Sequence, residues 1–352
     1  MYDFARALAD AVSGSKLETG AIKALLMANP EQTKSLYSAA DRTRQTGVGD
    51  EVHLRAIIEF SNYCRKNCLY CGLRRDNKSI ARYRLSLDEI LTTATEAVAL
   101  GFRTVVLQSG EDLYYTPEDI ARLVYSIKNK HDVAITLSLG EHRRENYRLW
   151  REAGADRYLL KHETANPELF RFLKPDTTFE TRLRCLHWLK ELDYQTGSGN
   201  MVGLPGQDLD TLARDVALLR DLDVEMAGVG PFLPHYATPL KDAAAGDPEL
   251  TLKTLAVTRL CLPGAHLPAT TALCTLATDG RKLALNAGAN VIMPNLTPLD
   301  VRRQYQIYPQ KSDMTEKPLE TLTSIKKLLA GLARPLATSH GHAPKFTGGM
   351  KQ

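Results

Sequence analysis

Three cysteines that fall close together are the feature of this sequence with the clearest chemistry. Cys64, Cys68 and Cys71 lie in the segment SNYCRKNCLYCGLRRDN. Their spacing would also put them on one face of a helix, where cysteine can pack as a small apolar residue. A zinc site is a further alternative, but structural zinc usually takes four ligands as two separated pairs. The other cysteines of the chain are isolated, so no second pair exists.

An iron–sulfur cluster fits this cysteine spacing better than either alternative. A [4Fe-4S] cluster that only carries electrons normally has a thiolate on each of its four irons. Three cysteines leave one iron open to a substrate or cofactor. The neighbouring Arg65, Lys66, Arg74 and Arg75 are unusual for a core helix, and their positive charge favours the deprotonated thiolate. The segment therefore predicts a catalytic cluster with one open iron.

Length and composition are those of an ordinary globular protein. The chain has 352 residues, of which 43% are hydrophobic and 24% are charged, and its net charge is +4. These values exclude a disordered chain, a collagen-like repeat and a coiled coil. So small a charge over this length gives no reason to expect a nucleic-acid partner or a membrane surface.

The amino terminus and the cysteine usage predict a cytoplasmic protein. Asp3, Arg6 and Asp10 interrupt the first apolar residues, so a secretory signal is not expected. No stretch approaches the ~20 consecutive apolar residues of a membrane helix. Thiols stay reduced in the cytoplasm. The cysteines outside the segment are expected to be core residues and not disulfide partners; they are Cys185, Cys261 and Cys274.

From residue 51 onward, short β-rich runs alternate with amphipathic helical runs. The β-rich runs cover residues 52–60, 104–108, 133–138, 157–161, 196–202, 224–230, 267–272 and 289–293. Several are nearly continuous in apolar or small residues, as expected of strands buried on both faces. Helix starts between them include capping boxes at Ser86 and at Thr177, and Thr116 before Pro117.

Eight strand–helix units over about 250 residues predict an α/β fold of the (β/α)8 TIM-barrel type. An open doubly wound sheet is the alternative, although no G-x-G-x-x-G motif follows a strand. Residues 1–50 are predicted to be an N-terminal helical extension, and residues 51–352 the barrel with a C-terminal helical segment. Barrel enzymes carry their chemistry at the carboxyl ends of the strands, and the three cysteines directly follow the first predicted strand.

The pattern Cys64-x3-Cys68-x2-Cys71, with the aromatic Tyr70 before the last cysteine, resembles the signature of the radical S-adenosylmethionine (SAM) family. The resemblance implies one [4Fe-4S] cluster whose open iron is chelated by SAM. An electron from the cluster then cleaves a sulfonium C–S bond and yields a 5′-deoxyadenosyl radical. Under this interpretation the cysteines are at once the metal ligands and the catalytic centre.

The same resemblance implies roles for side chains at the other strand ends. Ser109, Gly110 and Glu111 resemble the Gly-Gly-Glu motif that holds the methionine amino group, with Ser in place of the first Gly. The other SAM-side candidates are Tyr70, Gln108, Thr136, Ser138, Glu163, Arg182 and Met226. The substrate-side candidates are Thr270 and Thr271 on the seventh strand and Tyr305 and Tyr308 after the eighth. Each also has an ordinary structural interpretation, such as a βα turn, a strand former or a core residue.

Longer segments resemble the HydE family of [FeFe]-hydrogenase H-cluster maturases. They include VVLQSGED, TLSLGE, EAGADRYLLKHETANP, MVGLPGQ, GVGPFLPH and GANVIMPN. This resemblance implies an iron–cysteine substrate that carries CO and cyanide, the partner maturases HydG and HydF, and a reduced flavodoxin or ferredoxin-type electron donor. Some members carry further cysteines near the C-terminus for a second cluster. Here no cysteine follows Cys274, so a single cluster is predicted.

Two other functions are compatible with parts of this pattern. Methylornithine synthase, a radical SAM mutase that acts on lysine, shares the barrel and the cysteine motif. A non-catalytic iron–sulfur electron carrier would need a fourth ligand and little cavity, which three cysteines in a large barrel do not suit.

Overall fold

The computed structural model describes residues 2–309 and 315–346. Three helices come first, and strands and helices then alternate. The strands are β1 (His53–Leu54), β2 (Ala56–Ser61), β3 (Thr104–Ser109), β4 (Ala134–Ser138), β5 (Arg157–Leu159), β6 (Gln195–Ser198), β7 (Met201–Val202), β8 (Met226–Ala227), β9 (Gly230–Pro231) and β10 (Val291–Ile292). The helices are α1 (Phe4–Val12), α2 (Thr19–Leu26), α3 (Pro30–Val48), α4 (Leu87–Ala99), α5 (Pro117–Lys130), α6 (Arg144–Glu152), α7 (Pro167–Leu173), α8 (Phe179–Glu191), α9 (Leu209–Asp221), α10 (Pro248–Cys261), α11 (Thr271–Leu276), α12 (Gly280–Asn286), α13 (Leu299–Arg302) and α14 (Pro318–Gly331).

The parallel strands close into a ring, which confirms the predicted barrel. Strands β2, β3, β4, β5, β6 and β8 pair in that order, all in parallel. Beyond β8 the backbone N–H of Ala227 donates to the carbonyl of His266 (3.0 Å), and that of Ala269 donates to Val291 (2.9 Å). Val291 belongs to β10, which pairs with β1 at the start of the ring. The seventh segment therefore completes the barrel through a short backbone ladder.

Alternation along β2 separates the core from the cavity. Ala56, Ile58 and Phe60 point outward into the main hydrophobic core beneath the helices, whereas Ile57 and Glu59 line the interior. A strand places successive side chains on opposite faces. The predicted helix starts at Ser86 and Thr116 are confirmed, because both form capping boxes at the beginnings of α4 and α5.

Two details of the predicted elements are wrong. The seventh strand does not extend to residue 272, because α11 begins at Thr271. Thr270 and Thr271 thus lie at a helix start and not on a strand; Pro268 has no N–H to give to a ladder, which favours a short strand. The cap of α8 is Thr178 and not Thr177. The Thr177 hydroxyl instead donates to the carboxylate of Glu141 (2.7 Å).

The N-terminal helices pack on the outside of the barrel. Helix α2 lies against α9, and α3 lies against α10, with Ile22, Leu25 and Leu36 fully buried. Residues 4–48 are thus helical, as predicted, whereas the division of the chain into domains at residue 50 stays a prediction. Among the described residues, no helix combines the length and the hydropathy needed to cross a membrane.

The segment after α14 crosses the amino-terminal end of the barrel. The carbonyl of His340 accepts hydrogen bonds from Thr104 Oγ1 (2.9 Å) and Arg157 Nη2 (2.7 Å), and that of Gly341 accepts from Arg55 Nη2 (3.3 Å). Thr104 and Arg157 lie on the second and fourth barrel strands, and Arg55 lies between β1 and β2. The C-terminal segment therefore forms a floor, and access to the interior is directed to the opposite end.

Candidate active site at the barrel mouth

A cavity of about 390 Å³ opens at the carboxyl ends of the strands. Every residue assigned from the sequence to the cluster, the cofactor or the substrate lines it. They are Cys64, Cys68, Tyr70, Cys71, Gln108, Ser109, Gly110, Glu111, Thr136, Ser138, Glu163, Arg182, Met226, Thr270, Thr271, Tyr305 and Tyr308. The fold thus brings residues from all around the ring to one space, while their individual roles stay predictions.

Backbone carbonyls fix the shape of residues 62–86, which we call the cysteine loop. The guanidinium of Arg82 donates to the carbonyls of Asn62, Leu73 (3.0 Å) and Arg74 (2.8 Å). The amide of Asn62, which is fully buried, accepts from the N–H of Tyr83 (2.8 Å). Because one guanidinium binds both ends of the loop, the segment that carries the cysteines is held in a single conformation.

Two glycines allow the cysteine loop to approach its neighbours closely. A Cβ on Gly110 would lie 2.2 Å from the carbonyl oxygen of Tyr63 and 2.8 Å from Cys64 Cβ. A Cβ on Gly72 would lie 2.1 Å from the carbonyl oxygen of Gln306. No side chain fits at such distances. The Gly of the Ser-Gly-Glu sequence is therefore required for packing against the first cysteine, besides any contact with a ligand.

The three thiols line one cavity and act on one another electrostatically. Burial raises the pKa of Cys71, and Cys68 and Cys64 raise it further. Burial also raises the pKa of Cys64, and Cys68 again adds to the effect. The ammonium of Lys174 lies 3.2 Å from Cys68 Sγ and 3.3 Å from the hydroxyl of Tyr70. A buried cation therefore lies against the Cys68 sulfur, where it would offset part of the negative charge of a bound iron–sulfur cluster.

The donor set fits an iron–sulfur cluster. Among the residues that the structure describes, no three His, Cys, Asp or Glu side chains come together as a site for a single metal ion. Three cysteines of one loop that share a cavity suit a cubane instead, because each thiolate then binds a different iron. Cys64, Cys68 and Cys71 would hold such a cluster at the mouth of the barrel.

A buried carboxylate network lies beneath the cysteine loop. Glu141 accepts hydrogen bonds from Arg182 Nε (2.8 Å) and Lys66 Nζ (3.0 Å). Its own backbone N–H donates to Glu111 Oε1 (3.1 Å), and Arg65 Nε donates to the other Glu111 oxygen (3.1 Å). Glu111 and Glu141 thus join the loop to the ends of the second and third barrel strands and to α8.

The charges in this network stabilise one another. Burial by itself raises the pKa of Glu141, but Arg182, Thr177 and Lys66 outweigh it and lower that pKa from 4.5 to about 2. Burial alone would lower the pKa of Arg182, but the carboxylates of Glu141 and Glu163 outweigh it and raise that pKa. Arg182 is also held by the carbonyl of Lys161. A fixed guanidinium in the cavity wall is well suited to bind a ligand carboxylate.

The deep end of the cavity carries positive charge. Arg55 lies there between β1 and β2, nearly fully buried, and its Nη1 contacts Met226 Sδ at 2.8 Å. Burial and the nearby Arg157 lower the pKa of Arg55. Among the described residues, Arg55 Nε, Thr136 Oγ1 and His266 Nε2 have no hydrogen-bond partner. These groups converge on the cavity and could receive an anionic or hydrogen-bonding ligand.

Several residues in or next to the cavity wall were not predicted from the sequence. Glu141 had a usable signal, because Leu-Gly-Glu follows the third strand as Ser-Gly-Glu follows the second. Lys174, Arg55 and Lys161 had none: charged residues are normally exposed, and only the fold directs these side chains inward.

Comparisons with known proteins agree with this geometry. A model of the radical SAM superfamily matches residues 58–219. The [FeFe] hydrogenase maturase subunit HydE of Thermotoga maritima is 56% identical over 301 residues, which is 86% of each chain. The 3-methylornithine synthase of Methanosarcina acetivorans is 31% identical over 323 residues, or 90% of each chain. The crystal structure of a methylornithine synthase (PylB) superimposes with a TM-score of 0.83 at 29% identity, over 94% of this chain and 98% of that one.

Replacement of Glu141 by Gln should destabilise the protein in a pH-dependent way. The lowered pKa corresponds to about 3 kcal/mol of stability that is fully present above pH 4.5 and lost as the pH falls towards 2. Urea unfolding of the metal-free protein at pH 7 should show this loss for Glu141→Gln, and the difference from the wild type should shrink at pH 3. The exposed Glu145→Gln is the control; an equal deficit at both pH values would contradict the assignment.

Proposed function

Because the chain belongs to the radical SAM superfamily and, within it, to the family of the HydE maturases, we propose that it cleaves SAM during assembly of the [FeFe]-hydrogenase H-cluster. Its substrate would be an iron–cysteine complex that carries CO and cyanide. When bound, the cluster supplies the electron that cleaves SAM to a 5′-deoxyadenosyl radical, which would attack this complex on the way to a diiron precursor.

The observation that carries this proposal is the shared cavity. The thiols of the cysteine loop line the same space as Arg182 on α8 and Glu163 after the fourth barrel strand, which hold opposite charges. SAM has a carboxylate and an ammonium group on its methionine part. Arg182 would bind the carboxylate of SAM. The carboxylate of Glu163 would face either a positively charged group or the ribose hydroxyls. These residues would thereby orient SAM over the cluster.

The remaining walls of the cavity would bind the substrate and exclude water from it. Arg55 at the deep end would face an anionic part of the complex, such as a cyanide or carboxylate ligand, and Thr136 and Thr270 offer hydroxyls. Tyr305 and Tyr308 would close the cavity beside the cysteine loop, because the N–H of Gly72 donates to the carbonyl of Ile307 (3.0 Å) between them. A radical reacts with whatever group it meets, so the substrate must already be in contact with SAM when the radical forms. The chain's own contribution is therefore to position the substrate and to exclude water.

A methylornithine-synthase-like reaction on lysine is the second candidate. It has the support of the 31% identical relative and of the similar crystal structure. Two features favour the maturase. The identity to HydE is much higher, at 56%, and the guanidinium of Arg55 at the deep end, whose Nε has no hydrogen-bond partner, suits an anionic ligand better than a second ammonium group.

The partners follow from the proposed pathway. The maturase HydG would supply the iron–cysteine complex, and HydF would receive the product. A reduced flavodoxin or ferredoxin-type protein would supply the electron. We also propose that the protein holds one cluster, because no cysteine follows Cys274 and the remaining cysteines are apart from the loop.

Substitution of Cys68 by Ala tests the catalytic assignment. The variant should fold normally by circular dichroism but lose SAM cleavage, with 5′-deoxyadenosine formation under dithionite lowered by at least about 100-fold, because one iron ligand is missing. Cys261→Ala, which changes a cysteine on α10 far along the chain, is the matched control and should retain activity. Full cleavage by Cys68→Ala would refute the cluster assignment.

Iron and sulfide content tests the number of clusters. The reconstituted protein should contain about four irons and about four sulfides per chain, as one cubane requires. About eight irons per chain would overturn the single-cluster proposal without affecting the assignment of the cysteine loop.

A further inference from the structure

The positive charge of the chain is concentrated in the cysteine loop. Residues 62–86 contain seven Lys and Arg and a single Asp, a net charge of +6, whereas the whole chain carries only +4. The remainder of the protein is therefore slightly negative, at −2. A charge so localised creates a positive field around the rim of the cavity and not over the surface as a whole.

Part of this charge is used inside the protein. Lys66 pairs with Glu141, and Arg84 pairs with the buried carboxylate of Asp112 (2.7 Å). Arg82 binds backbone carbonyls of the loop. These cations have structural partners, and their presence needs no external ligand.

Three other cations of the loop face solvent. The side chains of Arg65 and Arg75 are 45% and 52% exposed, and Lys78 is exposed as well. Arg75 has acidic neighbours, with Asp76 at 3.5 Å and Asp176 at 3.7 Å. Such exposed pairs contribute little to stability, so stability of the fold does not account for Arg75 and Lys78, whereas Arg65 also pairs with the buried Glu111 (3.1 Å).

Exposed aromatic and apolar side chains lie at the start of the same loop and around Arg84. Tyr63, Leu113 and Tyr114 are 36%, 63% and 65% exposed. The guanidinium of Arg84 lies over the rings of both tyrosines, 3.7 Å and 4.5 Å from their centroids. Tyrosine and arginine are enriched at protein–protein interfaces. Tyr63 also directly precedes Cys64, so this patch adjoins the first cluster ligand.

We propose that this surface docks an acidic one-electron carrier protein that reduces the cluster. The docking face consists of Tyr63, Arg65, Arg75, Lys78, Leu113 and Tyr114. Its positive charge matches an acidic partner, and its apolar part provides the centre of an interface. The inference rests on the proposed function, since it assumes a cluster on the cysteine loop. It adds the surface through which the electron reaches that cluster.

The electron transfer at the docking face is a one-electron reaction. The reduced flavin or iron–sulfur carrier loses one electron and the cluster gains one, and no bond forms or breaks. A carrier on the docking face would lie next to Cys64, because that residue directly follows Tyr63 and is only partly buried. The barrel interior would stay closed to the carrier, so SAM and substrate need not be displaced.

Binding of a flavodoxin tests the docking face independently of catalysis. The probe is an acidic flavodoxin with oxidised FMN, titrated calorimetrically into the full-length reconstituted protein at 50 mM salt. The double variant Arg75→Gln/Lys78→Glu should bind about tenfold more weakly, because two positive charges are lost and one negative charge is gained at the interface. At 1 M salt, where the Debye length is about 3 Å, the difference should nearly vanish.

The matched control is Lys326→Gln/Lys327→Glu, which makes the same change of charge at exposed positions on α14. It should leave the dissociation constant within about twofold of the wild type. An equal loss of binding in both double variants, or none in Arg75→Gln/Lys78→Glu, would overturn the docking proposal.

Reduction rates separate failure of docking from failure of the cluster. The Arg75→Gln/Lys78→Glu variant should be reduced about tenfold more slowly by flavodoxin hydroquinone but at the wild-type rate by dithionite, which needs no docking. Equal rates with flavodoxin hydroquinone would refute the docking face alone. A wild-type protein that dithionite cannot reduce would refute the cluster, and with it the proposed function.

Discussion

One buried carboxylate connects the parts of the molecule that must meet to form the site. Glu141 follows the third barrel strand and binds Arg182 of α8 and Lys66 of the cysteine loop. Its backbone N–H also holds Glu111, which follows the second strand. An unpaired buried charge would cost several kcal/mol. The strand ends, the loop and α8 therefore have to come together for any of these charges to be buried, and the cavity wall forms as one unit.

The two ends of the barrel have different structural roles. At the amino-terminal end, the C-terminal segment binds Thr104, Arg157 and Arg55 through its carbonyls and forms the floor. At the carboxyl end, the cysteine loop lies over the cavity with Gly110 in close contact. A cavity open at one end suits a reaction whose intermediate must be kept from water. Under the proposed function, the cofactor would thus occupy the mouth and the substrate the deeper, cationic part.

Much of the fold could be predicted from local sequence patterns, because capping residues and apolar strands act over a few residues. Ser86 and Thr116 begin helices as expected, and the residues of the cavity follow from the rule that a barrel's strand ends meet. The missed features depend on distant parts of the chain. Thr177 turns away from its predicted cap to bind Glu141, and Lys174 reaches Cys68 only because α7 ends beside the loop. No local pattern encodes such contacts.

The central claim is that three cysteines hold a cluster whose fourth iron is bound by SAM. Electron–nuclear double resonance of the reduced protein with SAM labelled with ¹⁵N in its amino group and ¹⁷O in its carboxylate tests this directly. The account predicts magnetic coupling between both labels and the cluster. Absence of coupling, with a spectrum that is the same with and without SAM, would mean that the fourth iron is already occupied and would contradict the account.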